Sequence, residues 1–133
     1  AVGIMQRALD EAVAYAKQRK QFGRRLIDFE MVQAMLADMA IKTEAARVLV
    51  NNCMRQMDAG EMVRKDGAIV KTFVTDAMQE VVSNAVQVLG GYGYSEEYPV
   101  EKLMRDAKIF QIFEGSNQIQ RMTIAKELDR EYQ

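Results

Sequence analysis

"DFEMVQAMLADMAIKTEAARVLVNNCMRQMDAG", residues 28–60, decides the fold. Within it Val32, Leu36, Met39, Thr43, Ala46, Val50, Cys53 and Met57 follow one another at alternating steps of four and three. That is the interval at which side chains line up along one face of an α-helix. A seam sustained over so many turns belongs to a helix packed lengthwise on a partner. Asp28 stands where an N-cap accepts the first free N–H groups, and Gly60 ends the helix with a residue free to turn left-handed. The flanking segments must then supply helices to cover the seam.

On the N-terminal side, periodicity predicts a helix over about residues 2–19, with Ile4, Ala8, Val13 (or Ala12) and Tyr15 inward. "KQFGRRLI", residues 20–27, is a connection punctuated by Gly23. On the C-terminal side a third helix is predicted over about residues 62–89. Val70, Phe73, Val74, Ala77, Val81, Ala85 and Val88 face inward, and Gly67 weakens its start. "GGYGYSEEYP", residues 90–99, reads as a loop, and Pro99 suits the first turn of a short fourth helix to about Ile109. Ser116 caps a last helix toward Leu128. No strand-like alternation, internal repeat or low-complexity segment interrupts this pattern. The expected fold is all-α: an antiparallel, up-and-down four-helix bundle with a short additional helix, occupying residues 1–133 as one domain. The ten methionines are expected chiefly to fill gaps in its core rather than to line an adaptable groove.

Composition narrows the function classes. Apolar residues make up 49% and charged residues 28%, with a formal net charge of −1, which is ordinary for a globular domain. Near-neutral charge removes the electrostatic case for nucleic acid or an anionic membrane. No apolar run reaches the roughly 20 residues of a membrane span. Cys53 is the one cysteine, so no internal disulfide is possible, as suits a reducing compartment. There is no histidine, which excludes Ser-His and Cys-His catalysis within this chain and argues against a metal site. Acid–base chemistry therefore falls to a carboxylate, a lysine, a tyrosine or a bound cofactor. The first residues already read as helix, without an initiator methionine, so the chain is expected to be a domain of something longer.

Three segments do not read as plain bundle. "RKQFGRRL", residues 19–26, is on pattern alone a basic helix end with a glycine stop, or else an anion site in which Arg19 makes forked bonds to phosphate. "QVLGGYGY", residues 87–94, is an interhelical loop or a place where open glycine backbone meets a ligand. "IFQIFEGSNQIQR", residues 109–121, holds Glu114 between Phe113 and Gly115. A loop glutamate is most simply a surface charge. If Ile112 and Phe113 exclude water from it, desolvation would move its carboxyl toward neutrality, where a base is most useful.

Taken together, "QRKQFGRRL", "VQVLGGYGYSEEYPVEKLMRDAKI" and "IFEGSNQIQR" resemble the C-terminal helical domain of the acyl-CoA dehydrogenases, in order and at that family's spacing. The resemblance implies FAD-dependent oxidation of an acyl-CoA thioester to the 2,3-enoyl-CoA, with electrons passed to electron-transfer flavoprotein. It implies that Glu114 is the base that takes the pro-R α-proton while hydride leaves Cβ. It further implies that the Glu114 N–H and a flavin ribityl hydroxyl bond the thioester carbonyl. Arg19, Phe22 and Gln33 match contacts to the FAD of a neighbouring subunit. Gln87, Gly90 and Gly91 match contacts to its adenosine and pyrophosphate end. Ser116 and Gln118 match FAD contacts, and Gly115 a position beside the substrate. Because such contacts cross subunits, a homodimer or homotetramer is implied, in bacterial cytoplasm or mitochondrial matrix. Phe113 replaces a frequent tyrosine and Ser116 a frequent threonine. The family's N-terminal helical and middle β domains are not in these residues, so the chain alone is expected to be inactive. Two alternatives stand beside this reading: an acyl-CoA oxidase-type member of the superfamily, and a non-catalytic helical oligomerisation module.

Overall fold

The seam of residues 32–53 faces the core, with Val32 and Val50 half-buried and the rest buried, in a computed structural model that describes residues 1–132. Five helices follow one another: α1 (Val2–Gln18), α2 (Glu30–Asp58), α3 (Arg64–Leu89), α4 (Val100–Lys108) and α5 (Asn117–Glu131). Short 3-10 turns at Leu26–Asp28, Gly90–Tyr94 and Ile109–Gln111 join them. No helix among the described residues is long and apolar enough to cross a membrane. The all-α bundle with a short extra helix is therefore the fold, and α3 is its axis, packed against all four other helices. Met5, Met39, Met78, Val81, Val82 and Val100 are wholly buried where α1, α2, α3 and α4 meet. At ~25 cal/mol per Å² of apolar surface, each such side chain contributes roughly 1.5–3 kcal/mol to folding.

Several expectations about individual faces need correction. Leu36, Met39, Thr43, Ala46 and Cys53 are buried on α2, whereas Met57 is exposed. A strict 4-3 pattern repeats every 3.5 residues and a straight helix every 3.6, a drift of ~20° per heptad. From Val32 to Met57 the seam thus rotates by roughly 70° and carries Met57 out of the interface. On α1 the buried stripe is Met5, Ala8, Ala12 and Ala16, with Ile4, Val13 and Tyr15 packed on its flanks. Ala8 and the alternative Ala12 meet the expectation, and Met5 and Ala16 are the additions. Phe73 on α3 is 40% exposed, while Thr72 and Thr75 beside it are buried. The methionines split: Met5, Met39 and Met78 are core, but Met31, Met54, Met57, Met62, Met104 and Met122 face outward.

Helix ends differ as well. Residues 20–25 form a two-residue antiparallel hairpin, β1 (Lys20–Gln21) and β2 (Arg24–Arg25), with Lys20 opposite Arg25 and Gln21 opposite Arg24. Phe22 and Gly23 at its tip are both left-handed, at φ 51° and 79°. Asp28 does not cap α2. It lies in the 3-10 turn and accepts both Arg25 guanidinium bonds, at 3.1 and 2.8 Å, and Phe29 takes the N-cap place without a side-chain bond. α3 begins at Arg64 rather than near residue 62, and Pro99 sits at the N-cap of α4.

Candidate active site

Where α1 ends, Arg19 leaves the helix in extended conformation, its N–H bonded to Tyr15 O at 2.9 Å. Its guanidinium lies over the Tyr92 ring, 5.7 Å from the centroid, and finds no carboxylate partner among the described residues. α3 ends at the same place with Gln87 in its last turn, and Gly90 then turns left-handed at φ 62°. Gly93 fixes this turn: a Cβ there would stand 2.5 Å from Val86 O and 2.9 Å from Val86 Cα. Gly90 and Gly91, by contrast, have nothing within 4 Å of where a Cβ would sit. Arg19, Gln87, Gly90 and Gly91 therefore border one cleft of about 760 Å³, whose apolar wall includes Tyr15, Leu26, Val32, Met35 and Tyr92. An unpaired guanidinium, bare glycine backbone and an aromatic wall are donors and surfaces that suit a dinucleotide's phosphate and ring. These residues fit the FAD that the resemblance implies.

Phe22 and Gln33 stand apart from that cleft. Phe22 is 91% exposed at the hairpin tip, edge-on to Phe29 at 6.5 Å. Gln33 is exposed on α2 and donates to Ile27 O at 3.0 Å. Both are exposed, which suits contacts to a neighbouring molecule better than contacts within this one.

Glu114, Gly115, Ser116 and Gln118 form a second group, between the Ile109–Gln111 turn and α5, against the N-terminal half of α3. Lys71 marks this end of α3 and Gln87 the other, roughly 24 Å apart at 1.5 Å per residue. Glu114 and Gly115 are both left-handed, at φ 53° and 83°. The Glu114 carboxylate is exposed and makes no bond to any described residue, and none accepts from its N–H. The water-excluding wall expected of Ile112 and Phe113 is not built within this chain, since these side chains are 55% and 42% exposed. Ser116 does cap α5, its Oγ accepting from Ile119 N at 3.4 Å. Gln118 is exposed on the first turn of that helix.

Sequence reasoning missed two features. Tyr15, Tyr92 and Tyr98 pack as a ring cluster beside Arg19, with centroids 5.6–6.4 Å apart. Burial raises the Tyr15 phenol above its usual range against the pull of the Arg19 charge. The second is a polar network under the Glu114 turn. Asn117, 3% exposed, donates to Thr75 Oγ1 at 2.8 Å and to Asp76 Oδ1 at 2.6 Å, and accepts from Lys71 Nζ at 2.6 Å. Asp76 also accepts from Gln111 at 2.7 Å and Arg121 at 2.6 Å. Burial opposes charge on Asp76, and the bonds from Arg121, Gln111 and Asn117 outweigh it and hold the carboxyl below its usual range. Asn117 follows Ser116 within "EGSNQIQR", and that adjacency was the one available signal.

Arg19→Ala should cost the intact protein FAD affinity while leaving turnover per bound flavin within about threefold; loss of one charge-assisted bond is worth roughly 1.5–3 kcal/mol. Flavin content after gel filtration measures it, and unchanged retention would remove Arg19 from the site.

Residues 1–128 match the acyl-CoA dehydrogenase C-terminal domain. The chain is 51% identical over 131 residues to "Probable acyl-CoA dehydrogenase FadE25" of Mycobacterium tuberculosis, covering 98% of this chain and 34% of that protein. It is 46% identical over 124 residues to the caffeyl-CoA reductase-Etf complex subunit CarC of Acetobacterium woodii, covering 93% and 33%. Butyryl-CoA dehydrogenase from Megasphaera elsdenii superposes with a TM-score of 0.94 at 47% identity, over 96% of this chain and 33% of that one. The chain thus spans about a third of the length of these relatives. On sequence and on fold alike, it belongs to the acyl-CoA dehydrogenase C-terminal domain family.

Proposed function

We propose that this chain supplies the proton-abstracting base and part of the flavin site of an enzyme that interconverts acyl-CoA and 2,3-enoyl-CoA thioesters. The observation that carries the reading is the Glu114 turn: an unpaired carboxylate and an unpaired N–H on one left-handed residue, presented at the surface beside an open glycine. A thioester α-proton is weakly acidic, so its removal needs both a base at Cα and donors at the carbonyl oxygen. Glu114 offers the carboxylate for the first and its own N–H for the second. When bound, FAD supplies the two-electron acceptor for the hydride that leaves Cβ.

Arg19, Gln87, Gly90 and Gly91 bind the adenosine and pyrophosphate end of one cofactor from their cleft, while Ser116 and Gln118 approach a second one from the start of α5. The roughly 24 Å between the two groups is too far for compact contacts of one ligand end. It suits an enzyme in which Arg19, Phe22 and Gln33 serve the cofactor of a neighbouring copy in a homodimer or homotetramer. Outward-facing Met31, Ile41, Val48 and Met54 on α2 give such an assembly apolar surface to cover. Ile112, Phe113 and Glu114 would likewise be covered by the parts of the longer protein that hold the acyl chain, and water excluded there.

Electron-transfer flavoprotein is the proposed electron partner, in keeping with a relative named as part of an Etf complex. That relative is named as a reductase, and the same residue, once protonated, would return the proton to Cα in that direction. The direct test is anaerobic addition of a saturated acyl-CoA to the intact flavoprotein. Bleaching of the flavin band with formation of the 2,3-enoyl-CoA is expected, and reoxidation by electron-transfer flavoprotein rather than by oxygen. A flavin band unchanged by acyl-CoA, together with a reduced flavin that 2,3-enoyl-CoA does not reoxidise, would overturn the reading.

A further inference from the structure

Left-handed backbone at a non-glycine residue persists only where its surroundings hold it, and the structure identifies what holds Glu114. Two side chains grip the carbonyls of this turn. Gln120 Nε2, on α5, donates to Glu114 O at 3.0 Å and to Gly115 O at 3.3 Å. Lys71 Nζ, on α3, donates to Gly115 O at 2.9 Å and to Asn117 Oδ1 at 2.6 Å. Lys71 is the only one of the two that ties the turn to another helix, across 44 residues of sequence.

Several features set this lysine apart from a surface cation. It is half-buried and forms no ion pair with a carboxylate among the described residues. Its acceptors are a backbone oxygen and a buried amide instead. Burial draws its ammonium below the ordinary lysine range, with the charge of Asp76 opposing. Beneath it, Thr75 one turn along α3 and Asp76 both accept from the Asn117 amide, so Asn117 cannot rotate to release the ammonium without breaking several bonds. Gly115 is itself left-handed at φ 83°, and the Gln120 amide closes over it on the other side. The direction in which the Glu114 side chain leaves the surface is therefore set from α3 through Lys71.

We infer that Lys71 is a positioning residue for Glu114, fixing the left-handed Glu114–Gly115 turn so that the carboxylate and the N–H face the substrate together. The inference rests on Glu114 being the base. Displacement of a base by about 1 Å costs on the order of 100-fold, so the expected loss is in turnover rather than in binding.

The test compares Lys71→Met, which keeps the stem and removes the donors, with Lys71→Arg, which restores them, in the intact flavoprotein. Lys71→Met is expected to keep its FAD content and its KM for acyl-CoA within about threefold while kcat falls roughly 10- to 100-fold. Lys71→Arg should recover much of that loss, and Lys71→Met should cost nothing further in a Glu114→Gln background. Wild-type kcat in Lys71→Met, with Glu114→Gln inactive, would overturn the positioning role and leave the base reading intact. Wild-type kcat in Glu114→Gln would overturn the base reading itself. An equal further loss in the Glu114→Gln background would show that Lys71 does not act through Glu114, and overturns the inference. Should Lys71→Met fold poorly, Lys71→Gln has a side chain one bond shorter and uncharged. Reduced kcat at normal flavin content supports the role there too, and wild-type kcat overturns it.

Discussion

Glu114→Gln in the intact flavoprotein should remain yellow and lose about 10²- to 10⁴-fold in turnover, the usual worth of a positioned base. The substitution keeps the size of the side chain and the left-handed turn at φ 53°, and removes only the group that takes a proton. Nothing in the chain depends on the carboxylate for stability, because it is exposed and bonds to no described residue. Thermal stability is therefore expected to stay within ±0.5 kcal/mol of wild type, as for surface substitutions generally. FAD content should also be unchanged, since the substitution leaves Ser116 capping α5 and Gln118 in place, and Arg19, Gln87, Gly90 and Gly91 lie at the far end of α3. The thioester carbonyl keeps its donor in this variant, because that donor is the backbone N–H. A large loss confined to kcat would thus report on proton abstraction alone. Turnover within threefold of wild type would count against Glu114 as base.

Gly93→Ala should damage the flavin cleft through packing rather than chemistry. The added Cβ would meet Val86 O at 2.5 Å, Val86 Cα at 2.9 Å and Leu89 Cβ at 3.0 Å. Most of that obstacle is helix backbone and cannot turn aside, so the Gly90–Tyr94 turn must back away from α3. Overpacking of this kind costs about 1–3 kcal/mol, a large fraction of the 5–15 kcal/mol that typically holds a domain together. Gly90, Gly91 and Tyr92 would move with the turn, and Tyr92 carries Arg19 on its face. Each 1.4 kcal/mol lost from the cofactor contacts weakens FAD tenfold, so a drop of about that size is expected with a lower melting temperature. Gly91→Ala is the control: nothing lies within 4 Å of its Cβ, so stability should hold. An unchanged melting temperature and flavin content in Gly93→Ala would contradict the assigned packing.

These two residues also mark what was legible beforehand. Glu114 could be picked out because the residues around it resemble a known family, and its exposed, left-handed setting is a property of backbone that no composition reveals. Gly93 sits among three glycines within four residues, and pattern alone does not tell the one jammed against α3 from the two that stand open. The length and type of α1, α2 and α3 followed from periodicity, because long amphipathic helices repeat their signal many times. Face assignments failed at individual positions. On α1 Ala8 and Ala12 are buried as expected, but Met5 and Ala16 complete the stripe in place of Ile4 and Tyr15. On α3 Thr75 rather than Phe73 is buried, where the Asn117 amide of α5 bonds its hydroxyl. Asp28 was a reasonable cap by residue type, but Arg25 three residues earlier bonds its carboxylate first. Lys71, Asp76 and Arg121 escaped notice because charged residues on separate helices read as solvated until the fold brings them together.

Proton abstraction at Cα is tested most directly by exchange with solvent. Intact flavoprotein and an acyl-CoA would be incubated in heavy water without electron acceptor, and deuterium at Cα followed by mass spectrometry. Wild type should incorporate deuterium rapidly, and Glu114→Gln should fall to the rate seen without protein while still binding FAD. Exchange at the wild-type rate in Glu114→Gln would mean that another group takes the α-proton, and that Glu114 is not the base.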